Sequence, residues 1–239
     1  MSIRGGDFKM EKKQYVRPMI KSKAWDWSKN ESDEWLVPSL ESCYLAESWK
    51  SKGFKKFLDL GCGLGRHSIY FAQKGYDVNS VDLSGYGINY LKNWAGKEKL
   101  NIKAEVCDMI SLPFNDNTFD CIMAYNVIYH TDIHGFLRSL DEISRILKCD
   151  GELFITLLSK GSLAYRNSDN NKHIDDNTIL RDENDTGQCN VPHFYVNIND
   201  VEKFFAKFDF IHDPVEQIEY DKQGNERMSR HFNLIVRKK

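Results

Sequence analysis

The sequence predicts an α/β domain: a doubly wound, mostly parallel sheet of seven strands, closed by a C-terminal antiparallel hairpin and preceded by an N-terminal helical cap. Three observations carry this. Apolar, strand-sized runs alternate with segments of helical spacing from Phe57 to Leu158, the pattern of β-α units whose right-handed crossovers build a parallel sheet. The first run passes through Asp59-Leu60-Gly61-Cys62-Gly63-Leu64-Gly65, a glycine turn between a buried strand and a helix, suited to a nucleotide-bearing ligand. Near the C-terminus, Phe210 to Tyr220 and Met228 to Arg237 flank the turn Asp221-Lys222-Gln223-Gly224-Asn225 and read as the closing hairpin.

A chain of 239 residues, 41% hydrophobic and with a formal net charge of −2, reads as one globular domain with a small appendage. It has no global basic excess of the kind that phosphate-backbone binding requires, so nucleic acid is not favoured as a partner. The six cysteines (Cys43, Cys62, Cys107, Cys121, Cys149 and Cys189) contain no C-x-x-C pair. They predict core thiols in a reducing cytoplasm, neither a disulfide framework nor a metal site. No signal peptide or membrane-spanning run is indicated, and a cytoplasmic location is expected.

Residues 1–50 read as an N-terminal arm and aromatic cap, and residues 51–239 as the nucleotide-binding domain. The arm mixes Lys9, Lys12, Lys13, Arg17, Lys21 and Lys23 with Asp7 and Glu11, the composition of a solvated segment. Trp25, Trp27 and Trp35 follow, then a helical stretch with Leu40, Tyr44, Leu45 and Trp49 at helical spacing. The tryptophans either line the ligand site or pack the cap on the sheet. After the glycine turn a helix bearing Ile69 and Ala72 stops at Gly75, where a left-handed C-cap is expected.

The second strand, Tyr76 to Val81, ends in Asp82, where a carboxylate can accept both hydroxyls of an adenosine ribose. Ser84 caps the next helix, which carries Ile88, Leu91 and Ala95. The third strand, Ile102 to Val106, runs into Cys107-Asp108-Met109, and the fourth, Phe119 to Ala124, ends at Tyr125-Asn126-Val127-Ile128-Tyr129-His130 on the ligand edge. A helix with Phe136, Leu140, Ile143 and Leu147 on one face turns through Lys148-Cys149-Asp150-Gly151 into the fifth strand, Leu153 to Leu158. Residues 159–196 are polar and long for a connection, which predicts a lid or substrate-shaping insert, mobile without ligand, with a hairpin near Asp185-Thr186-Gly187. Asn199 with Glu202 is expected to cap a last helix bearing Val201, Phe204, Phe205 and Phe208.

The glycine run departs from the dinucleotide pattern G-x-G-x-x-G, since Arg66 stands where its third glycine would be. Asp59 just ahead of the turn would repel a pyrophosphate and suit a ligand carrying an ammonium and a sulfonium. With LDLGCGLGRHS, VDLS, the Asp108 loop, LPFNDNTFD, the helix ending RILK and the terminal hairpin, the chain from about Trp25 onward resembles the class I S-adenosylmethionine-dependent methyltransferases, especially their small-molecule members. The resemblance implies a Rossmann-like methyltransferase fold, S-adenosylmethionine as cofactor, and cofactor contacts at Asp59, Gly61, Gly63, Gly65, Asp82, Leu83, Asp108, Met109 and Tyr125. In that family an acidic residue at the Asp108 position commonly receives the adenine amino group and its apolar neighbour packs on the ring.

The acceptor half is less legible. Asn126-Val127-Ile128-Tyr129 keeps the ends of the N-P-P-Y motif of amino-group methylases but lacks both prolines, and no Pro-Cys dipeptide supports cytosine-C5 chemistry. Methyl transfer needs alignment above all and a base only for a protonated acceptor. His130 and His193 are the candidate bases, with a histidine bonded to backbone as the alternative for each. Trp25, Trp27, Trp35, Arg166 and Tyr195 are expected to wall the acceptor pocket, with His130 at its floor. A small-molecule acceptor is the expected partner; a protein or RNA methylase, and a binding protein without the reaction, are the other two classes that fit.

Overall fold

The computed structural model describes residues 22–30, 32–169, 172–183 and 188–239. The N-terminal arm as far as residue 21 and the turn expected around Asp185-Thr186-Gly187 lie outside the described residues. In chain order the strands are β1 (Lys56–Leu60), β2 (Asp77–Asp82), β3 (Ile102–Val106), β4 (Phe119–Ala124), β5 (Leu147–Ser159), β6 (Thr178–Glu183), β7 (Gln188–Val196), β8 (Phe208–Phe210), β9 (Val215–Tyr220) and β10 (Glu226–Lys238). The helices are α1 (Leu40–Ser51), α2 (Arg66–Gln73), α3 (Gly85–Lys97), α4 (Ile133–Ile146), α5 (Leu163–Arg166) and α6 (Ile198–Phe204).

Seven strands make the spine in the order β3-β2-β1-β4-β5-β10-β8. The first five pair in parallel and β10 runs antiparallel between β5 and β8. This is the expected Rossmann-like sheet, with β6, β7 and β9 added. The terminal hairpin differs in detail: the run expected from Phe210 to Tyr220 is two strands, β8 and β9, which pair with opposite ends of β10. Pro214, lying between them, has no N–H to give a ladder.

Alternation along β1 sorts its side chains onto two faces. Leu58 and Leu60 join the core under α4, while Phe57 stacks on Phe71 of α2 at 3.9 Å and meets Trp49 of α1 at 6.1 Å. Trp49 is fully buried and its indole N–H donates to Glu152 at 3.0 Å. Lys52 and Arg237 complete the partners of that carboxylate, at 2.8 and 3.1 Å, as a buried charge requires. The cap helix is therefore part of the domain core. Its buried face is Ser42, Leu45, Ala46 and Trp49; Leu40 and Tyr44, expected on that face, are 87% and 56% exposed because they point nearly half a turn away.

Two local expectations shift. The residues expected to turn into the fifth strand are already in it, absorbed as a bulge where the register jumps from Phe119↔Leu147 to Cys121↔Glu152. The last helix is capped two residues earlier than expected, by a reciprocal box of Asn197 and Asp200. The insert is also less loose than its composition implies. β7 pairs with β6 and continues the sheet beside β5 through Leu158↔Tyr195 and Ser159↔Val196. It buries Val191, Phe194, Tyr195 and Val196, with Phe194 stacked on Phe136 at 4.3 Å; the apolar residues of the insert are few but concentrated on this strand. Among the described residues no helix is long and apolar enough to cross a membrane.

Candidate functional site

The glycine turn leaves β1 with Gly61, Gly63 and Gly65 at φ of +72°, +56° and +96°, a region that side chains disfavour. Close approach matters as much as dihedral freedom. A Cβ on Gly61 would run into the Val127 side chain, and one on Gly63 would lie 2.6 Å from the Trp27 ring. The N–H groups of the turn are engaged within the protein. Gly61 and Cys62 donate to the Val81 carbonyl at 2.8 and 3.0 Å, Gly63 donates to Asp82 Oδ2 at 2.8 Å, and Gly65 donates to the Cys62 carbonyl at 2.9 Å. These four do not form the free N–H cradle that a phosphate needs.

Asp82 ends β2 with its carboxylate held from two sides, by Gly63 N–H on Oδ2 and Ser84 N–H on Oδ1 at 2.7 Å. Burial pushes its pKa up, against the pull of those two donors. Leu83, Asp108 and Met109 adjoin it, and Asp108 Oδ1 accepts the Ile110 N–H at 3.2 Å. Together with Gly61 they form one wall of a cavity of about 320 Å³, within the range of small-ligand sites.

The opposite walls are aromatic. Trp25, Trp27 and Trp35 stand in sequence, with ring centres 6.3 Å apart for the first pair and 5.3 Å for the second. Trp25 reaches His130 at 5.5 Å, and His130 meets His193 at 4.8 Å. The indole N–H groups of Trp25 and Trp27, and His130 Nδ1, are buried and find no hydrogen-bond partner among the described residues. Burial, aided by the nearby His193 and Arg181, holds the His130 pKa well below the usual histidine value. His193 Nδ1 lies 3.0 Å from the Val191 carbonyl, which can only accept, so that nitrogen carries the proton.

Ten of the sequence-predicted residues thus line one cavity: Gly61, Asp82, Leu83, Asp108, Met109, Trp25, Trp27, Trp35, His130 and His193. Gly63 and Gly65 shape the turn from outside that lining, packed under Trp27 and Leu91. Asp59 is also displaced from its expected role. It shares the α2 face of β1 with Phe57, lies 1% exposed beneath the turn and accepts the Ser68 hydroxyl at 2.5 Å. Three expectations fail on geometry. Tyr125 points away from the cavity into a neighbouring cleft, where Arg66 is held between the rings of Trp35 at 5.1 Å and Tyr125 at 5.3 Å. Arg166 pairs instead with Glu226 at 3.7 Å on the far side of the insert. Tyr195 is fully buried, and its hydroxyl accepts Arg181 Nη1 at 3.2 Å.

Sequence reasoning missed Tyr129, Arg181 and His231, all on the cavity. Tyr129 had a signal, as the last residue of Asn126-Val127-Ile128-Tyr129; Arg181 and His231 had none, being brought in by strands that follow the fifth one. The Tyr129 hydroxyl and His231 Nε2 are 3.5 Å apart, and burial with the Arg181 charge lowers the His231 pKa to about 4. Asn126, at φ +53°, is locked by Thr156, whose hydroxyl donates to Asn126 Oδ1 at 3.0 Å and accepts its backbone N–H at 2.7 Å. Among the described residues no group of three or more His, Cys, Asp and Glu is placed to hold a metal ion.

A family model described as a methyltransferase domain matches residues 58–155. An uncharacterised protein of Methanocaldococcus jannaschii is 36% identical over 135 residues, 56% of this chain and 53% of that one. A ubiquinone biosynthesis O-methyltransferase of Coxiella burnetii is 30% identical over 130 residues, 54% of each chain. The matches span about half the length of these relatives. The crystal structure of a SAM-dependent methyltransferase from Methanosarcina mazei superposes with a TM-score of 0.66 at 22% identity, covering 77% of this chain and 92% of that one, a likeness of fold. With the glycine turn, Asp82, Asp108 and Met109 gathered at one cavity on this sheet, the chain matches a methyltransferase domain over residues 58–155 and shares the fold of S-adenosylmethionine-dependent methyltransferases.

Proposed function

We propose that the protein transfers a methyl group from S-adenosylmethionine to a small-molecule acceptor by in-line displacement. The observation that carries this is the two-sided cavity, with Gly61, Asp82, Asp108 and Met109 on one wall and indoles and imidazoles on the other. The residues fit the cofactor. Asp82 keeps acceptor capacity beyond its two backbone donors for ribose hydroxyls. Asp108 and Met109 can take the adenine edge and face, and Gly61 leaves a wall without a Cβ. Asp82 and Asp108, with Asp59 beneath the turn, make this half acidic, and its turn N–H groups are engaged; both features favour a ligand with ammonium and sulfonium charges over a pyrophosphate.

Bound S-adenosylmethionine supplies a methyl group on a sulfonium, with a neutral thioether as leaving group. The chain's own share is position and dryness. Trp25, Trp27 and Trp35 exclude water from the acceptor side, and His130 and His231, kept neutral by burial, add no charge there. Of the two candidate bases, both on the cavity, His130 is held neutral by burial, which leaves His193 as the candidate to take a proton if the acceptor brings one. The enclosed aromatic walls support a small molecule over a macromolecule, which would need a flat, open surface beside the cofactor; the O-methyltransferase among the relatives points the same way. Incubation with labelled S-adenosylmethionine and a cell metabolite extract, followed by mass identification of the product, tests the reading. Label appearing only in protein or RNA would overturn the small-molecule acceptor, and tighter calorimetric binding of NAD than of S-adenosylhomocysteine would overturn the cofactor.

A further inference from the structure

Arg66 sets the glycine run apart from a dinucleotide fingerprint, yet it lies outside the lining of the cofactor cavity. It opens α2 directly after Gly65 of the turn and reaches across to the tryptophan segment. There its Nη1 donates to the Glu34 carbonyl at 2.8 Å and to the Val37 carbonyl at 3.2 Å, in and just after the 3-10 turn Asp33–Leu36 that carries Trp35. The same guanidinium sits over the Trp35 ring at 5.1 Å and over the Tyr125 ring at 5.3 Å. Its charge is answered within the protein: burial lowers its pKa, and Tyr125, Asp59, Glu34 and Glu41 act against that. Its neighbour His67 holds the next stretch, with Nε2 accepting the Ser39 N–H at 3.2 Å. Burial and the Arg66 charge lower the His67 pKa to about 3, so the ring is neutral and able to accept. The segment has little packing of its own at this end. Neither of its 3-10 turns, Trp27–Lys29 and Asp33–Leu36, contains a buried residue or a side-chain cap. The other end is tied to β7, where Lys23 donates to the Cys189 carbonyl at 3.0 Å and Gln188 donates to the Ala24 carbonyl at 2.8 Å.

We propose that Arg66 is a positioning residue for methyl transfer, which sets the aromatic acceptor wall through Trp35 from the first residue beyond the cofactor turn. This deepens the methyl-transfer reading and rests on it for the purpose of the wall. The carbonyls at the end of a short helical turn lack partners of their own. A guanidinium can meet two of them while its face stays on an aromatic ring. A lysine ammonium, a hydrated point charge on a flexible stem, does not combine the two so well. From Trp35 the order passes along the wall. Trp27 meets Trp35 at 5.3 Å and rests on Gly63, Trp25 follows at 6.3 Å, and Trp25 reaches His130 at 5.5 Å. The acceptor wall is thus held in register with the cofactor turn at two points, Arg66 and Trp27. An in-line displacement depends on that register, since a misplacement of about 1 Å can cost about a hundredfold in rate.

The test labels the full chain with 5-fluorotryptophan and follows its five tryptophans, Trp25, Trp27, Trp35, Trp49 and Trp94, by fluorine NMR. In parallel, transfer of label from S-adenosylmethionine to the small molecules of a cell metabolite extract is measured. Arg66→Met keeps an apolar stem and removes the donors and the charge. It should displace or broaden the Trp35 and Trp27 signals and leave Trp49, packed on Phe57 and Phe71, in place. Initial label transfer at saturating S-adenosylmethionine should fall about tenfold to a hundredfold, and Arg66→Lys should restore part of both. Unmoved Trp35 and Trp27 signals overturn the inference. So does undiminished transfer, or a loss that disappears when the S-adenosylmethionine concentration is raised, which would make Arg66 a cofactor contact. If Arg66→Met does not fold, Arg66→Lys carries the test, and Trp35 and transfer unchanged from wild type overturn the inference. Displaced Trp35 and Trp27 signals with no transfer by the wild type would uphold Arg66 as the residue that sets the wall and overturn the methyl-transfer reading instead.

Discussion

Asp59 offers a sharp test of how the cofactor turn is supported. Burial raises its pKa from 3.8 to about 6, opposed by hydrogen bonds from Ser68 and by Arg66, and reinforced by Asp82. A carboxyl whose folded pKa is raised favours folding in its protonated form, so its contribution is complete below the unfolded value and is lost as pH rises through about 6. At 1.36 kcal/mol per pH unit, the shift from 3.8 to about 6 corresponds to about 3 kcal/mol. About 2 kcal/mol of this should be lost between roughly pH 4.5 and 7.5, where the unfolded carboxyl is already ionised. Urea denaturation of wild type and Asp59→Asn across that range isolates the effect, because groups that do not interact with Asp59 titrate alike in both proteins. Asparagine fixes a cost at all pH values by placing an amide against the Ser68 donors; the difference between the two stability curves carries the signal. Wild type is expected to lose about 2 kcal/mol relative to the variant from the acid end to the neutral end. Parallel curves, or a wild type that gains relative stability with rising pH, would refute a desolvated Asp59 beneath the turn.

The other predictions concern the cavity itself. Asp82→Ala should weaken S-adenosylhomocysteine binding by about 1.5–3 kcal/mol, the range for hydrogen bonds to a charged group; unchanged calorimetric affinity in the folded variant would remove Asp82 from the site. Gly63→Ala places a Cβ 2.6 Å from the Trp27 ring at φ +56°, so it should cost about 1–2 kcal/mol of backbone strain and shift tryptophan emission. Unaltered emission and stability would mean that Trp27 does not rest on the turn. Because burial holds the pKa of His130 well below the usual value and that of His231 at about 4, both stay neutral from weakly acid to alkaline pH. The pH–rate profile should therefore show no inflection near 6.5 that vanishes in His130→Gln; such an inflection would place a titrating, solvated imidazole there.

The cofactor half was legible because each of its pieces is local. A strand buried on both faces is a near-continuous apolar run, so Phe119–Ala124 matches its expected span, and the turns after the first three strands carry their cavity-lining residues in order. Even there, sequence alone does not see where backbone donors go. At the glycine turn the Val81 carbonyl, from the neighbouring strand, takes two of the N–H groups. Asp59 was misplaced although the signal existed: alternation puts it on the Phe57 face, toward α2 and away from the Leu58 and Leu60 face. The acceptor half is assembled differently. Trp25 to Trp35, Tyr129 and His130, Arg181 and His193, and His231 come from four separate stretches, joined by the pairing of β7 with β5 and of β10 with β5. Arg166 and Tyr195 were placed on the right segment but with the wrong neighbours, and Arg181, fifteen positions from Arg166 in sequence, occupies the wall instead. Such selectivity is a property of register between distant strands: sliding β6 by one residue against β7 would turn Arg181 to the opposite face and bring Leu180 or Asp182 to the cavity. The same cofactor half can accordingly serve different acceptors when only the pairing of the inserted hairpin changes.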